Sequence, residues 1–134
     1  MIKGISHIGV AVKNLEQPME TYRSIFGLNV SPPQEFPDML VSMVKIGNSH
    51  IELLQPATTD GLLSRFIERR GEGIQHICFE VDDIEQELKS LSAKGMELID
   101  KRPRQGVEGK VAFLHPRMTY GVLIELVQKD NHTL

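Results

Sequence analysis

The stretches Gly4-Ile5-Ser6-His7-Ile8 and Gly73-Ile74-Gln75-His76-Ile77 are near copies of one another, and reading them together decides the fold. They place a histidine at the same point in both halves of the chain, His7 and His76, 69 residues apart. The same spacing links Val12 to Val81, Asn14 to Asp83, Glu16 to Glu85 and Gln17 to Gln86. A second pair of copies closes each half. Ile51-Glu52-Leu53-Leu54-Gln55 and Ile124-Glu125-Leu126-Val127-Gln128 lie 73 residues apart, the four extra residues being absorbed in loops. Each half therefore carries one histidine and one glutamate. Four such groups related by an internal two-fold can converge on a shared axis, which turns two half-sites into one metal site.

Around the first copy, Ile8, Val10 and Val12 share one face and His7, Gly9 and Ala11 the other, a period of two that predicts a strand. Asn14 stands where an N-cap belongs, with Gln17 as capping-box partner, Pro18 in the first turn and Gly27 as the stop, so Leu15 to Phe26 reads as a helix. The second half repeats the unit. Ile77, Phe79 and Val81 face one way, His76 and Cys78 the other, Asp83 caps with Gln86, and a helix from Ile84 to Lys94 stops at Gly95. Three extended runs follow each helix: 28–31, 39–46 and 50–55, then 96–99, 110–115 and 121–127. Gly47-Asn48 marks a tight turn. The reading is α+β: one domain over 1–134, made of two βαβββ modules (about 1–60 and 73–130) joined by a short helical linker, 61–72. Together they predict a cupped, eight-stranded mixed sheet with the helices outside, the apolar rows facing them, and the metal inside. Asn131 to Leu134 reads as a fraying tail.

Composition narrows the function. At 134 residues one compact unit with a real core is expected. A net charge of −3 without a long basic run disfavours nucleic acid as a partner. A lone Cys78 excludes an internal disulfide, and the start Met-Ile-Lys-Gly lacks a signal-peptide core, so the expected compartment is the cytoplasm. No apolar run is long enough to span a membrane.

A single strand histidine is ordinarily a hydrogen-bonded core group, and a single strand glutamate ordinarily faces solvent. Joint placement changes that reading, because a carboxylate buried beside Leu123 and Val127 costs several kcal/mol unless a positive group meets it. A divalent cation is the simplest such group. Imidazoles with carboxylates suit Zn, Co, Ni, Mn or Fe(II), and the lack of a cysteine set argues against a closed structural zinc site. An octahedral ion held by four residues keeps two positions open for water or substrate. The other histidines stand outside the repeat: His50 reads as a surface or supporting group, His115 as a loop support, and His132 as part of the tail. Cys78 reads first as a small core residue. Lys101, Arg102, Arg104 and Lys110 gather around a Pro/Gly loop, which suits solvation and also a phosphate-bearing substrate such as a coenzyme A thioester. No Gly-rich phosphate loop and no nucleophile set is present.

Paired βαβββ modules with His…Glu…His…Glu resemble the vicinal oxygen chelate superfamily over nearly the whole chain, from Ile5 to Gln128. Within it, His7-Ile8-Gly9-Val10-Ala11-Val12, Gly47-Asn48-Ser49-His50-Ile51-Glu52-Leu53-Leu54, Gly73-Ile74-Gln75-His76-Ile77-Cys78, Phe113-Leu114-His115-Pro116 and Gly121-Val122-Leu123-Ile124-Glu125-Leu126 look most like the methylmalonyl-CoA epimerases. The resemblance implies metal ligands at His7, Glu52, His76 and Glu125, with Glu125 also a catalytic base. The epimerases' second base is a glutamate in a Glu-Gln-Gly-Val-like turn. Here that stretch is Pro37-Asp38-Met39-Leu40-Val41, which makes Asp38 the candidate and Glu35 the alternative.

The chemistry so implied is epimerisation at the carbon between a thioester and a carboxylate, with one divalent metal, cobalt first and Zn, Ni or Mn as alternatives. The partner is an acyl-CoA thioester, without nucleic acid or membrane, and the resemblance suggests a homodimer. A glyoxalase I-like isomerase acting on a glutathione adduct is the nearest rival, and a metal-free small-molecule-binding protein on the same fold is the rival from another class.

Overall fold

The computed structural model describes residues 1–130, so the tail with His132 lies outside the described residues. In chain order the elements are β1 (Ile2–Ala11), α1 (Glu16–Glu20) running into a π-helical turn (Thr21–Ile25), β2 (Asn29–Val30), β3 (Gln34–Phe36), β4 (Met39–Ile46) and β5 (Ser49–Pro56). There follow α2 (Leu62–Arg70), β6 (Gly73–Val81), α3 (Ile84–Ala93), β7 (Arg104–Gln105), β8 (Gly109–Leu114), a 3-10 turn (Pro116–Thr119) and β9 (Ile124–Lys129). The class is α+β with mixed strand pairing, as the sequence predicts. Two compact units divide the chain: His7–Gln75, and Met1–Ser6 together with the residues from His76 onward. The first six residues thus belong with the second half, where Lys3 pairs with Glu80 at 3.7 Å.

In the unit His7–Gln75, β1 runs parallel to β5 and β5 antiparallel to β4, which carries β2 and β3. Ile46 pairs with Ser49, so the β4–β5 loop is the two residues Gly47-Asn48, and Gly47 takes φ 57°, which a side chain would disfavour. Val12, Leu15, Met19, Val44 and Leu53 form its core, with Val10 packed alongside. The apolar row of β1 from Val10 therefore meets the helix as expected. Each fully buried Leu or Val there contributes about 1.5–3 kcal/mol. The other unit repeats the scheme: β6 parallel to β9, β9 antiparallel to β8, β8 to β7. Val81, Ile84, Leu88, Ala112, Leu114, Ile124 and Leu126 build its core, with Ile77 and Phe79 packed against it.

Three departures from the expected eight strands change the count. The first half gains a strand, because Gln34–Phe36 folds back on Met39–Val41, and the second gains the short β7, Arg104–Gln105 paired with β8, so that the described residues form nine strands. In the second half the run 96–99 shrinks to a single bridge, Leu98 to Leu114. There the Asp100 carboxylate accepts the Phe113 N–H at 2.8 Å, a donor that a longer strand partner would otherwise use.

The helix starts also differ. Asp83 accepts the Gln86 N–H at 3.2 Å, as its capping pattern predicts. Asn14 instead accepts the Glu16 N–H at 2.9 Å, a tight turn rather than a capping box with Gln17, and Leu15 occupies the cap position. The first N–H of each helix region is held from the sheet. Leu15 N–H donates to Gln55 Oε1 at 2.9 Å, and Ile84 N–H to Gln128 Oε1 at 3.0 Å. Gln128 lies where β8 approaches β9 so closely that a Cβ on Gly109 would sit 2.1 Å from the Gln128 carbonyl oxygen.

Candidate metal centre

Parallel pairing positions both His–Glu pairs by one rule. Glu52 lies opposite Gly9, two residues past His7, and Glu125 lies opposite Cys78, two residues past His76. Residues two apart on a strand share a face, so each histidine and glutamate project from the same side of neighbouring strands. That side is opposite the helix-facing core rows. The result is His7 Nε2 at 3.4 Å from Glu52 Oε1 and His76 Nε2 at 3.1 Å from Glu125 Oε1. All four residues are buried.

The donor set fits a divalent ion. Two adjacent ligands of an octahedral ion, each at about 2.1 Å, stand about 3.0 Å apart, near the 3.1 Å of the His76–Glu125 pair and inside the 3.4 Å of the His7–Glu52 pair. An imidazole nitrogen beside a buried carboxylate oxygen is the hard-to-intermediate ligand chemistry that such ions prefer, with two carboxylates available to match the +2 charge.

His50 joins the first pair. Its Nε2 lies 3.5 Å from Glu52 Oε2, its ring centroid is 5.0 Å from that of His7, and one ligand atom from each of His7, His50 and Glu52 falls within 4.8 Å of the others. The sequence offered no repeat partner for His50. The signal was its place two residues before Glu52, on the same face. In the other unit, Phe113 sets its edge against the His76 ring at 5.8 Å between centroids, and Cys78 is fully buried with Val111 and Val127, which is the core role read for it. His115 accepts the Arg117 N–H at 3.1 Å and so supports the 3-10 turn. Gln55 and Gln128 were visible only as the ends of the repeated segments, and the structure makes them the acceptors for the helix starts.

The remaining candidates lie apart from Glu52. Asp38 is exposed in the β3–β4 turn, and its carbonyl accepts the Ala57 N–H at 3.0 Å. Met43 is the β4 partner of Glu52, so Asp38 lies beyond the fourth row away, more than about 13 Å along the strand at roughly 3.3 Å per residue. Glu35 pairs with Leu40, whose side chain packs on the α1 side, opposite the face of Glu52. The structure therefore brings together His7 with Glu52 and His76 with Glu125, and brings neither Asp38 nor Glu35 to Glu52. No helix is long and apolar enough to cross a membrane among the described residues.

Residues 6–113 match the family model of the Glyoxalase/Bleomycin resistance protein/Dioxygenase superfamily, and the chain belongs to that family. It is 40% identical over 129 residues to the mitochondrial methylmalonyl-CoA epimerase of Dictyostelium discoideum, covering 93% of this chain and 78% of that one. Among solved structures it resembles a hypothetical protein from Bacillus halodurans at a TM-score of 0.93 and 33% identity, over 97% of this chain and 96% of that one. It also resembles a variant of the Streptomyces coelicolor methylmalonyl-CoA epimerase in complex with 2-nitronate-propionyl-CoA, at a TM-score of 0.91 and 31% identity, over 98% and 97% of the two chains.

Proposed function

We propose that this protein is a metal-dependent epimerase that interconverts (R)- and (S)-methylmalonyl-CoA, with His7, Glu52, His76 and Glu125 together holding one divalent cation. The observation that carries the reading is the pair of buried His–Glu contacts at 3.4 and 3.1 Å, built by the same register in both halves. The epimerase names of the relatives agree with it. Cobalt is the first choice of metal, with zinc, nickel or manganese as alternatives. Bound there, the ion supplies Lewis acidity toward the thioester and carboxylate oxygens, which makes the α-proton removable near neutral pH.

The residues supply the rest. Glu125 takes the proton from one face of the substrate carbon, and an acid on the opposite face returns one, since inversion needs groups on both sides of the plane. The second group is on the β3–β4 hairpin, Asp38 first and Glu35 as the alternative. Its tip must fold toward Glu52 for either to reach. Buried Val111 and Val127 and the half-buried Phe113 ring give the His76–Glu125 pair apolar neighbours. A homodimer in the cytoplasm completes the reading.

The test follows the α-proton. Methylmalonyl-CoA incubated in D₂O with the cobalt-loaded protein should lose its α-proton NMR signal, and a parallel assay with the methylglyoxal–glutathione adduct should stay at background. Turnover of the adduct without exchange of the thioester would instead establish the glyoxalase chemistry.

A further inference from the structure

The repeat that builds the two His–Glu pairs is broken at one place, and the break adds a donor. The offset of 73 residues that carries Glu52 to Glu125 carries His50 to Leu123, whose side chain cannot ligate. The unit His7–Gln75 therefore holds two imidazoles with its glutamate, where the repeat leaves the other unit one.

Strand pairing fixes this trio. β1 runs parallel to β5 with His7 directly opposite His50 and Gly9 opposite Glu52. His50 and Glu52 are two residues apart on β5 and so project from one face, the face of His7. On its other side β5 is paired to β4 along its whole length, from Ser49 to Pro56, which holds the backbone beneath the trio in place.

Each oxygen of the Glu52 carboxylate faces a different ring. Oε1 lies 3.4 Å from His7 Nε2 and Oε2 lies 3.5 Å from His50 Nε2. A charge-assisted N–H···O bond draws its atoms to about 2.7–2.9 Å, so both contacts are wider than the bond that would hold a simple His–Glu pair. They match instead the roughly 3.4 Å between two ligands of a four-coordinate ion with bonds near 2.1 Å. The His7 and His50 rings tilt toward one another at 31°, with centroids 5.0 Å apart. The His7 and Glu52 side chains are 5% and 6% exposed and that of His50 11%, which makes His50 the most accessible of the three. Two imidazoles, a carboxylate and one water complete a four-coordinate shell for zinc or cobalt.

We propose that His7, His50 and Glu52 form a capture site that takes up a divalent cation of the zinc and cobalt class within one half of the chain, without His76 and Glu125. The proposal rests on the metal reading above for the class of ion and is independent of the substrate. In the complete centre, four ligands and two substrate oxygens fill six positions, so His50 there gives up the ion and stands against Glu52.

The experiment titrates cobalt(II) alone into the chelator-stripped, full-length protein, followed by calorimetry and by the visible spectrum of the ion. Wild type, His50→Ala, His76→Ala/Glu125→Ala and the triple variant are compared, each with its fold checked by circular dichroism. If the alanine pair does not fold, His76→Phe/Glu125→Leu, which keeps the buried volume, takes its place. The expected result is one cobalt ion bound by the pair variant, with two imidazoles counted on it by X-ray absorption. His50→Ala should cost the pair variant more than roughly 100-fold in affinity, beyond the 10- to 100-fold that loss of an orienting residue costs the wild type. A single imidazole on the ion, or the same cost in both backgrounds, overturns the capture site. So does a pair variant that takes no cobalt while the wild type does, an outcome that leaves the four-residue centre standing. Failure of the four-residue centre looks different: the wild type and the pair variant would then bind cobalt equally well, both through the trio.

Discussion

Glu52 and Glu125 hold equivalent places in the two halves, yet their surroundings differ. Both oxygens of Glu52 lie within 3.5 Å of an imidazole nitrogen of its own unit, one from His7 and one from His50. Glu125 meets one imidazole of its unit, His76, and its strand partners are Cys78 and Phe113, a thiol and an aromatic ring. Gly9, at the place equivalent to Cys78, leaves the space beside Glu52 without a side chain. Duplication thus preserved the backbone register and let the neighbours diverge. Within its own unit each glutamate thus has a different setting, two imidazoles beside Glu52 and one imidazole, a thiol and an aromatic ring beside Glu125.

The largest effect should come from exchanging the two carboxylates for amides. Glu125→Gln should lower turnover by about 10² to 10⁴ while cobalt still binds through the amide oxygen, so metal content and rate separate. Glu52→Gln should lose metal affinity and rate together. Metal analysis alongside the deuterium assay decides it, and parallel losses in both variants would break the asymmetry.

On the other face, Asp38→Asn should keep full metal occupancy and slow exchange from one epimer by about 10², leaving the other less affected. Equal rates for both epimers remove Asp38 and direct the same measurement to Glu35→Gln. His50→Ala tests the environment of Glu52 directly. It should weaken metal affinity by about 10- to 100-fold, as the loss of a residue that orients a ligand does. Unaltered affinity would show that His50 does not prepare Glu52. The smallest expected effect should be symmetric: Gln55→Ala and Gln128→Ala each remove the acceptor for a helix-start N–H, and each should lower unfolding stability by about 1–2 kcal/mol in urea titrations.

The frame was legible because it is written twice. A period-two row places His7 and Val10 on opposite faces from the sequence alone, and a repeat offset pairs His76 with Glu125 before any strand is drawn. The Asp83 cap was legible because its partner lies three residues away. What escaped depends on groups distant in sequence or on competition between local options. Asn14 carries the same signal as Asp83, yet its side chain accepts the Glu16 N–H in a tighter turn, and the glutamines that hold the first N–H in both halves, Gln55 and Gln128, lie 40 and 44 positions beyond the amides they accept from. Asp100 takes the Phe113 N–H by a side-chain bond and trims a strand that hydropathy had drawn longer. The β3–β4 hairpin escaped because Gln34-Glu35-Phe36 is too short for any period to register, and with it the distance of Asp38 from Glu52.

The two glutamines that hold the helix starts have a further consequence. Each lies three residues beyond a candidate ligand glutamate on the same strand, so the amide of Leu15 is tethered to the Glu52 strand and the amide of Ile84 to the Glu125 strand. Backbone amides exchange with deuterated solvent only when such tethers open. The molecule therefore carries a matched pair of internal clocks, one in each half. Deuterium uptake at these two amides, followed while cobalt is added in steps, should slow first in the half that closes on the ion first, and so order the assembly of the centre in time.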